Sequence, residues 1–142
     1  MKVLEFAFDS RDSGCANDYL PHNYPVNSVV YTGTHDNETI TGWFQSITPR
    51  EQTLARDYLA DHYTPVCQLH NAFISLLMRS QARLCIIPLQ DYLGLDNDSR
   101  INTPSTVGRN WKWRLTPGQF SEDTVREIGA VTLRYGRWNH AH

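Results

Sequence analysis

The sequence predicts an α/β fold in which the strands form a parallel sheet. Three short runs have the apolar, β-branched and aromatic content of buried strands, and segments with helical spacing lie between and after them. Carboxylate or other polar side chains lie just past the end of each run, as they do at the ligand-binding edge of parallel sheets. Three strands are too few to close a barrel, so the chain is either a small open α/β domain or a piece of a larger one.

The strands are predicted from apolar runs that polar or proline-containing segments separate. A polar stretch (9–18) follows the first run, and Pro21 and Pro25 exclude regular helix from the next segment (19–27). The three predicted strands are VLEFAF (3–8), SVVYTG (28–33) and LCIIPL (84–89).

Three helices are predicted from their N-terminal caps and apolar spacing. The first begins at Thr48, which opens a capping box with proline at the first helical position. The second begins at Thr64, carries a strong apolar stripe and ends near Arg79. The third begins at Ser121 and stops near Gly136. Because strands and helices alternate, the whole chain (1–142) is predicted to be a single segment of βα units.

Charge and hydropathy argue against two classes of partner. The chain has 13 Lys and Arg against 15 Asp and Glu, and it has no basic run, which argues against binding to nucleic acid. No apolar run approaches the roughly 20 residues that a membrane span needs. No signal peptide is visible either. We therefore predict a cytoplasmic protein without a membrane partner.

Neither a metal ion nor a cofactor is predicted. Cys15, Cys67 and Cys85 are odd in number and form no CxxC pair, so they are interpreted as buried free thiols in a reducing compartment. The six histidines are dispersed, whereas a metal site needs three or four clustered ligands. A serine or cysteine hydrolase is disfavoured because the chain has no GxSxG elbow.

The motif TGTHDN (32–37) at the end of the second strand is the strongest candidate site. Asp9 follows the first strand and Gln90 the third, so all three lie at one predicted edge of the sheet. Asp and Asn are also ordinary turn and cap residues, so Asp36 alone fits a structural cap as well as a functional role. A carbohydrate site explains more, because sugars bind to aromatic platforms beside polar groups; Trp43, on a predicted helix, fits the core better. The aromatic candidates are Tyr31, Trp43, Tyr92, Trp111 and Trp113.

The order of five sequence blocks identifies a family resemblance that spans residues 1–115. The blocks are VLEFAFD (3–9), YLPHNYP (19–25), VVYTGTHDN (29–37), LQDYLGL (89–95) and RINTPSTVGRNWKWRL (100–115). Together they resemble the C-terminal catalytic segment of the 4-alpha-glucanotransferases, the amylomaltases or disproportionating enzymes of glycoside hydrolase family 77. The resemblance implies the C-terminal portion, about three βα units, of a (β/α)8 TIM barrel that is incomplete on its own.

The resemblance also implies an activity and a set of site residues. Such enzymes transfer α-1,4-glucan segments between maltooligosaccharides, in starch, glycogen or maltose metabolism, and retain the configuration through a covalent intermediate. Asp36 matches the carboxylate that grips the sugar at the cleavage point and helps to distort it, and His35 matches a histidine that hydrogen-bonds the same sugar. Asp9, Asn102 and Pro104 match positions near the acceptor side.

Two departures from the family pattern lead to further expectations. The nucleophilic Asp and the acid/base Glu come from earlier strands of the barrel, so Met1 is expected to be an internal residue of a parent enzyme. The isolated chain is then expected to be inactive and to self-associate through its unpaired strands. Ser105 stands where the family usually has glycine, which predicts a stiffer or differently placed loop. The alternative function is a non-catalytic glucan-binding or structural module.

Overall fold

The computed structural model, which describes residues 1–11 and 17–138, combines three parallel strands with α-helices that lie between the second and third strands and after the third. The strands are β1 (Lys2–Val3), β2 (Val29–Tyr31) and β3 (Leu84–Ile86). The helices are α1 (Ile40–Ser46), α2 (Pro49–Leu59), α3 (Val66–Met78), α4 (Leu89–Tyr92) and α5 (Glu122–Arg134). Short 3-10 turns lie at Leu4–Phe6, Pro21–Asn23 and Asn97–Ser99.

The three strands form one parallel sheet in the order β1-β2-β3. Lys2 lies opposite Val30, and Val30 lies opposite Cys85 on the other side. The prediction of an α/β fold with a parallel sheet is therefore confirmed. Because all three strands run in the same direction, their carboxyl ends meet at one edge, where the segments after each strand come together.

Each strand is shorter than predicted. The chain leaves β1 after Val3 and forms a 3-10 turn at Leu4–Phe6, so the prediction of a strand over 3–8 is wrong beyond its first residue. The neighbouring strand ends at Tyr31 and offers no further ladder, and the turn lets Leu4 and Phe8 both enter the core. β3 ends at Ile86, because Pro88 has no N–H for a ladder and α4 begins directly after it.

Side-chain caps start three of the helices. Thr48 accepts a hydrogen bond from the backbone N–H of Glu51 at the start of α2, and Ser121 does the same for Thr124 at the start of α5. Thr39 caps α1 by accepting from Gly42. α3 has no side-chain cap, since its N-cap is Pro65 and the hydroxyl of Thr64 bonds Asp61 instead.

The core lies between the sheet and helices α1 and α3. Trp43 and Phe73 meet edge to face with ring centroids 5.7 Å apart, and Phe8 and Phe44 pack around them. Trp43 is buried, as predicted for a core residue. The hydrophobic contacts of this cluster fix α1, and so the segment between β2 and α1 is held at both of its ends.

The outer face of β3 remains apolar and accessible. Leu84 and Ile86 are 50% and 40% exposed, although both are aliphatic residues in a strand. Cys85 between them is half-buried, and burial raises the pKa of its thiol to about 11. Cys67 is exposed because it lies on the outer side of α3, so the prediction of buried thiols is wrong there. Cys67 and Cys85 are both free thiols, and Cys15 lies outside the described residues.

The guanidinium group of Arg137 attaches the end of α5 to the end of α3. Nε donates to the carbonyl of Met78 (2.6 Å), Nη2 to that of Ser80 (2.9 Å) and Nη1 to that of Ala82 (3.0 Å). A cation at the carboxyl end of a helix also complements the helix dipole. Within the described ranges, no helix has the length and apolar character to cross a membrane.

Candidate active site

The THDN segment forms a tight turn directly after β2. Asn37 closes this turn, because its Oδ1 accepts from both the N–H and the hydroxyl of Thr34 at 2.8 Å. The N–H of Asn37 donates back to the carbonyl of Thr34 at 3.1 Å. His35 and Asp36 therefore occupy the tip of the turn, with side chains that are 54% and 50% exposed.

Asp36 is held in place by three side chains. Asn102 donates from Nδ2 to Oδ1 of Asp36 at 2.7 Å, and Nε2 of His35 lies 3.3 Å from Oδ2. Arg100 donates from Nη2 to the backbone carbonyl of Asp36 at 3.1 Å and to that of Asn102 at 3.3 Å. The carboxylate keeps lone pairs free for further donors, so it can accept hydrogen bonds from the hydroxyl groups of a ligand.

An indole ring lies beside the imidazole of this turn. The rings of His35 and Trp111 have centroids 5.2 Å apart at an interplanar angle of 38°, and Trp111 is 59% exposed. Its backbone is fixed by a 2.6 Å hydrogen bond to the carbonyl of Ile101. The site thus combines a carboxylate and an imidazole with an exposed flat apolar surface.

Asn110 organises the loop between Asn102 and Trp111. Its Oδ1 accepts from the N–H of Thr103 at 2.9 Å, and its Nδ2 donates to the carbonyl of Thr106 at 2.8 Å. Pro104 is exposed in this loop. Ser105 has φ of 65°, a left-handed conformation that glycine adopts without strain. The serine therefore keeps a glycine-like backbone at a cost in energy.

A buried carboxylate supports the turn from below. Asp91 is 1% exposed and accepts from the hydroxyl of Thr32 and from the backbone N–H of Ile40, the latter at 2.8 Å. Burial raises the pKa of Asp91 to about 6, although both hydrogen bonds oppose that shift. Gln90, also buried, donates to the carbonyl of Ser99. Gln90 and Asp91 in α4 are thus structural, because they join the end of β2, the start of α1 and the loop before Arg100.

Glu5 is a buried acid that sequence reasoning missed. It is 8% exposed in the 3-10 turn after β1, and burial, reinforced by the negative charge of Asp91, raises its pKa to about 10. Arg100 opposes that rise. An acidic residue in the middle of the apolar run VLEFAF (3–8) was the signal that could have revealed it.

Asp9 lies apart from this cluster. Its carboxylate pairs with Arg11 through hydrogen bonds of 2.6 to 3.2 Å, and these bonds lower the pKa of Asp9 to about 2. It borders a cleft of about 470 Å³ whose walls include Trp43 and Glu51. The structure therefore joins His35, Asp36 and Asn102 directly, whereas the carboxylate of Asp9 pairs with Arg11. In residues 1–11 and 17–138 no three His, Cys, Asp or Glu side chains are grouped closely enough to hold a metal ion.

The fold and the site define a class of protein. A parallel α/β unit with its accessible acid, imidazole and indole at the carboxyl end of a strand is typical of α/β enzymes, whose sites lie at that edge. The family model described as 4-alpha-glucanotransferase, of glycoside hydrolase family 77, matches residues 1–120. The chain belongs to this family, and the resemblance found in its sequence blocks is confirmed.

Relatives and a solved structure extend the match to nearly the whole chain. The 4-alpha-glucanotransferase of Thermus thermophilus is 45% identical over 136 residues, which are 92% of this chain and 27% of that protein. The chloroplastic/amyloplastic 4-alpha-glucanotransferase of Solanum tuberosum is 40% identical over 96% of this chain and 23% of its own. An amylomaltase from Streptococcus agalactiae, solved in complex with acarbose, superposes with a TM-score of 0.87 at 34% identity, over 98% of this chain and 27% of that one. The chain thus spans about a quarter of the length of its curated relatives.

Proposed function

We propose that the protein carrying this segment transfers α-1,4-glucan segments between maltooligosaccharides by a retaining double displacement. The observation that best supports this is the cluster of Asp36, His35 and Asn102 at the end of β2, in a chain of the 4-alpha-glucanotransferase family. The amylomaltase that superposes on the chain was solved with acarbose, which is consistent with a sugar ligand at this edge.

Asp36 is proposed to bind the reacting sugar more strongly in the transition state than in the ground state. Its two oxygens are oriented by Asn102 and His35, and each oxygen can also accept a hydrogen bond from a sugar hydroxyl. As the ring flattens toward an oxocarbenium ion, hydrogen bonds from sugar hydroxyls to a fixed carboxylate strengthen. Trp111 supplies an apolar surface beside the same point, on which a sugar face can lie.

The nucleophile and the acid/base are proposed to come from other strands of a complete (β/α)8 barrel. A retaining mechanism needs two carboxyl groups about 5 Å apart in addition to Asp36. This segment is proposed to contribute about three βα units to that barrel. The exposed apolar side chains of Leu84 and Ile86 on β3 support this proposal, because further elements of the barrel would cover them.

The remaining predicted residues are proposed to act on the acceptor. Asp9 borders a cleft large enough for sugar units at the same edge of the sheet, next to Phe6 and Tyr19. Pro104 shapes the exposed loop that begins at Asn102. Asn102 itself orients Asp36 and so links the acceptor loop to the reacting sugar.

Disproportionation of maltotriose tests the proposed function. The full-length protein carrying this segment should release glucose and form longer maltodextrins, whereas the purified 142-residue chain should do neither. Transfer by the isolated chain would contradict the need for further strands. A full-length protein that makes no longer products would contradict transferase activity. A 142-residue chain that is monomeric by size exclusion and binds maltooligosaccharides unaided would instead favour a non-catalytic binding module.

A further inference from the structure

The carboxyl group of Glu5 lies beneath the turn that carries His35 and Asp36. The backbone N–H of Glu5 donates to the carbonyl of Thr32 at 3.3 Å, so residue 5 is tied to the segment between β2 and the turn. Its side chain is almost wholly buried, and Oε2 finds no hydrogen-bond partner in the part of the chain that the structure describes. A buried, ionised carboxylate without a donor is costly, so burial favours the neutral acid at this position.

Glu5 packs directly on the backbone of Gly33. A Cβ atom on residue 33 would overlap Oε2 of Glu5 and lie 3.0 Å from its Cδ and 3.2 Å from the Cβ of Asn37. Gly33 is therefore enclosed between Glu5 and Asn37, the residue that closes the turn. The Glu5 carboxyl group therefore fills the space directly beside the backbone of Gly33.

Three charged groups face Glu5 from the elements packed around it. Asp91 at the start of α4 and Glu38 before α1 both disfavour a negative charge on Glu5, and burial disfavours it more strongly. Arg100, after the turn at Asn97–Ser99, favours the charge. Burial and the two acids prevail, which leaves Glu5 uncharged at neutral pH. Arg100 remains engaged with the carbonyl of Asp36.

We propose that Glu5 is a positioning residue for the His35–Asp36 turn, and that it acts as a neutral carboxylic acid whose bulk supports Gly33. The catalytic consequence rests on the proposed transferase function, whereas the packing and the charge state do not. If Glu5 were ionised, its charge would attract Arg100 away from the carbonyl of Asp36 and loosen the turn from below.

Substitution by glutamine separates bulk from charge. Glu5→Gln has nearly the same shape and stays neutral, so the full-length variant should keep its kcat for maltotriose within about 2-fold at pH 7.

The pH dependence of stability tests the charge state of Glu5. The folded pKa of Glu5 is raised to about 10 from its ordinary value of 4.5, so the stability that the neutral acid contributes is lost as the pH rises from 4.5 to about 10. The Tm advantage of Glu5→Gln over wild type should therefore grow from pH 6 to pH 10, and the ratio of its kcat to that of wild type should grow over the same range. Glu122→Gln, at an exposed position on α5, is the matched control and should show neither trend.

A packing rescue tests the contact with Gly33. Gly33→Ala should lower kcat at least about 10-fold with little change in KM, because the added methyl group displaces the turn. Adding Glu5→Ala removes the overlapping oxygen and should restore part of that loss. A 10-fold lower kcat of Glu5→Gln at pH 7, a Tm advantage that does not grow with pH, or no rescue of Gly33→Ala would each overturn the proposal. If even the wild-type protein lacks transferase activity, the proposed function fails, while the Tm comparison still tests the neutral state of Glu5.

Discussion

Asn102 donates a 2.7 Å hydrogen bond from Nδ2 to Oδ1 of Asp36, across 66 residues of sequence. This bond joins the turn after β2 to the long loop that precedes α5. Arg100 strengthens the same junction because its Nη2 reaches the carbonyls of both residues. The carboxylate of Asp36 is consequently oriented before any ligand arrives, which is what transition-state stabilisation requires.

Replacement of the Asp36 carboxylate should remove turnover and leave most of the binding. Asp36→Asn keeps the size of the side chain but loses the negative charge that stabilises the positively charged, oxocarbenium-like transition state. In the full-length protein, kcat for maltotriose should fall at least about 100-fold, while the Kd for a maltooligosaccharide changes far less. Steady-state kinetics and calorimetric titration measure the two quantities. Near-wild-type turnover would exclude Asp36 from the mechanism.

Loss of the Asn102 amide should lower kcat through the orientation of Asp36. Removing a hydrogen bond to a charged group costs about 1.5–3 kcal/mol, so Asn102→Ala should reduce kcat by roughly 10-fold or more. Asn110→Ala, which disturbs the same loop through Thr103 without touching Asp36, is the control and should have a smaller effect. When Asp36 is already replaced by Asn, adding Asn102→Ala should lower kcat little further. If the two losses in kcat multiplied fully in the double variant, the two residues would act independently.

Neutralising Asp91 should flatten the dependence of stability on pH in mildly acidic solution. Burial raises the folded pKa of Asp91 to about 6. The contribution of Asp91 to the free energy of unfolding is therefore fully present below about pH 4 and is lost as the pH rises toward 6. Asp91→Asn can keep the bond from Ile40, and it should remove a fall of up to about 3 kcal/mol over that range. Urea unfolding at several pH values measures the slope, with the exposed Asp18→Asn as control. An unchanged slope in Asp91→Asn would contradict this charge state.

The guanidinium of Arg137 should contribute measurably to the docking of α5. Arg137→Met keeps the aliphatic stem but leaves three carbonyls at the end of α3 without their donor. We expect the free energy of unfolding to fall by about 2 kcal/mol. Arg134→Met, in the last turn of α5, removes a positive charge and a contact with the ring of Tyr135 but none of these carbonyl bonds, and should cost much less. Equal losses in both variants would argue that helix charge, rather than the carbonyl bonds, is responsible.

Glycine at position 105 should stabilise the loop that begins at Asn102. Ser105 has a left-handed backbone, which costs a residue with a Cβ about 1–2 kcal/mol. Ser105→Gly removes this strain, although its greater freedom in the unfolded chain offsets part of the gain, so the net gain should be up to about 1 kcal/mol. Ser105→Ala retains the strain and should give no such gain. Equal stability of the glycine and alanine variants would place the effect in the hydroxyl group instead.

The sequence by itself determined the local structure and the family. Apolar, β-branched runs marked the strands, hydroxyl caps at Thr48 and Ser121 marked two helix starts, and the ordered blocks around the THDN motif identified the 4-alpha-glucanotransferases. These signals depend on a residue and its near neighbours along the chain, so they can be read without a structure.

Only the tertiary structure decided which side chains meet. Three contacts join residues far apart in sequence: the bond of Asn102 to Asp36, the contact of Trp111 with His35 and the bond of Thr32 to the buried Asp91. The early end of β1 was set by the length of its neighbour β2, and the same bend buried Glu5 against Gly33. Burial and long-range contact depend on how the elements pack, and composition and spacing carry no measure of that packing.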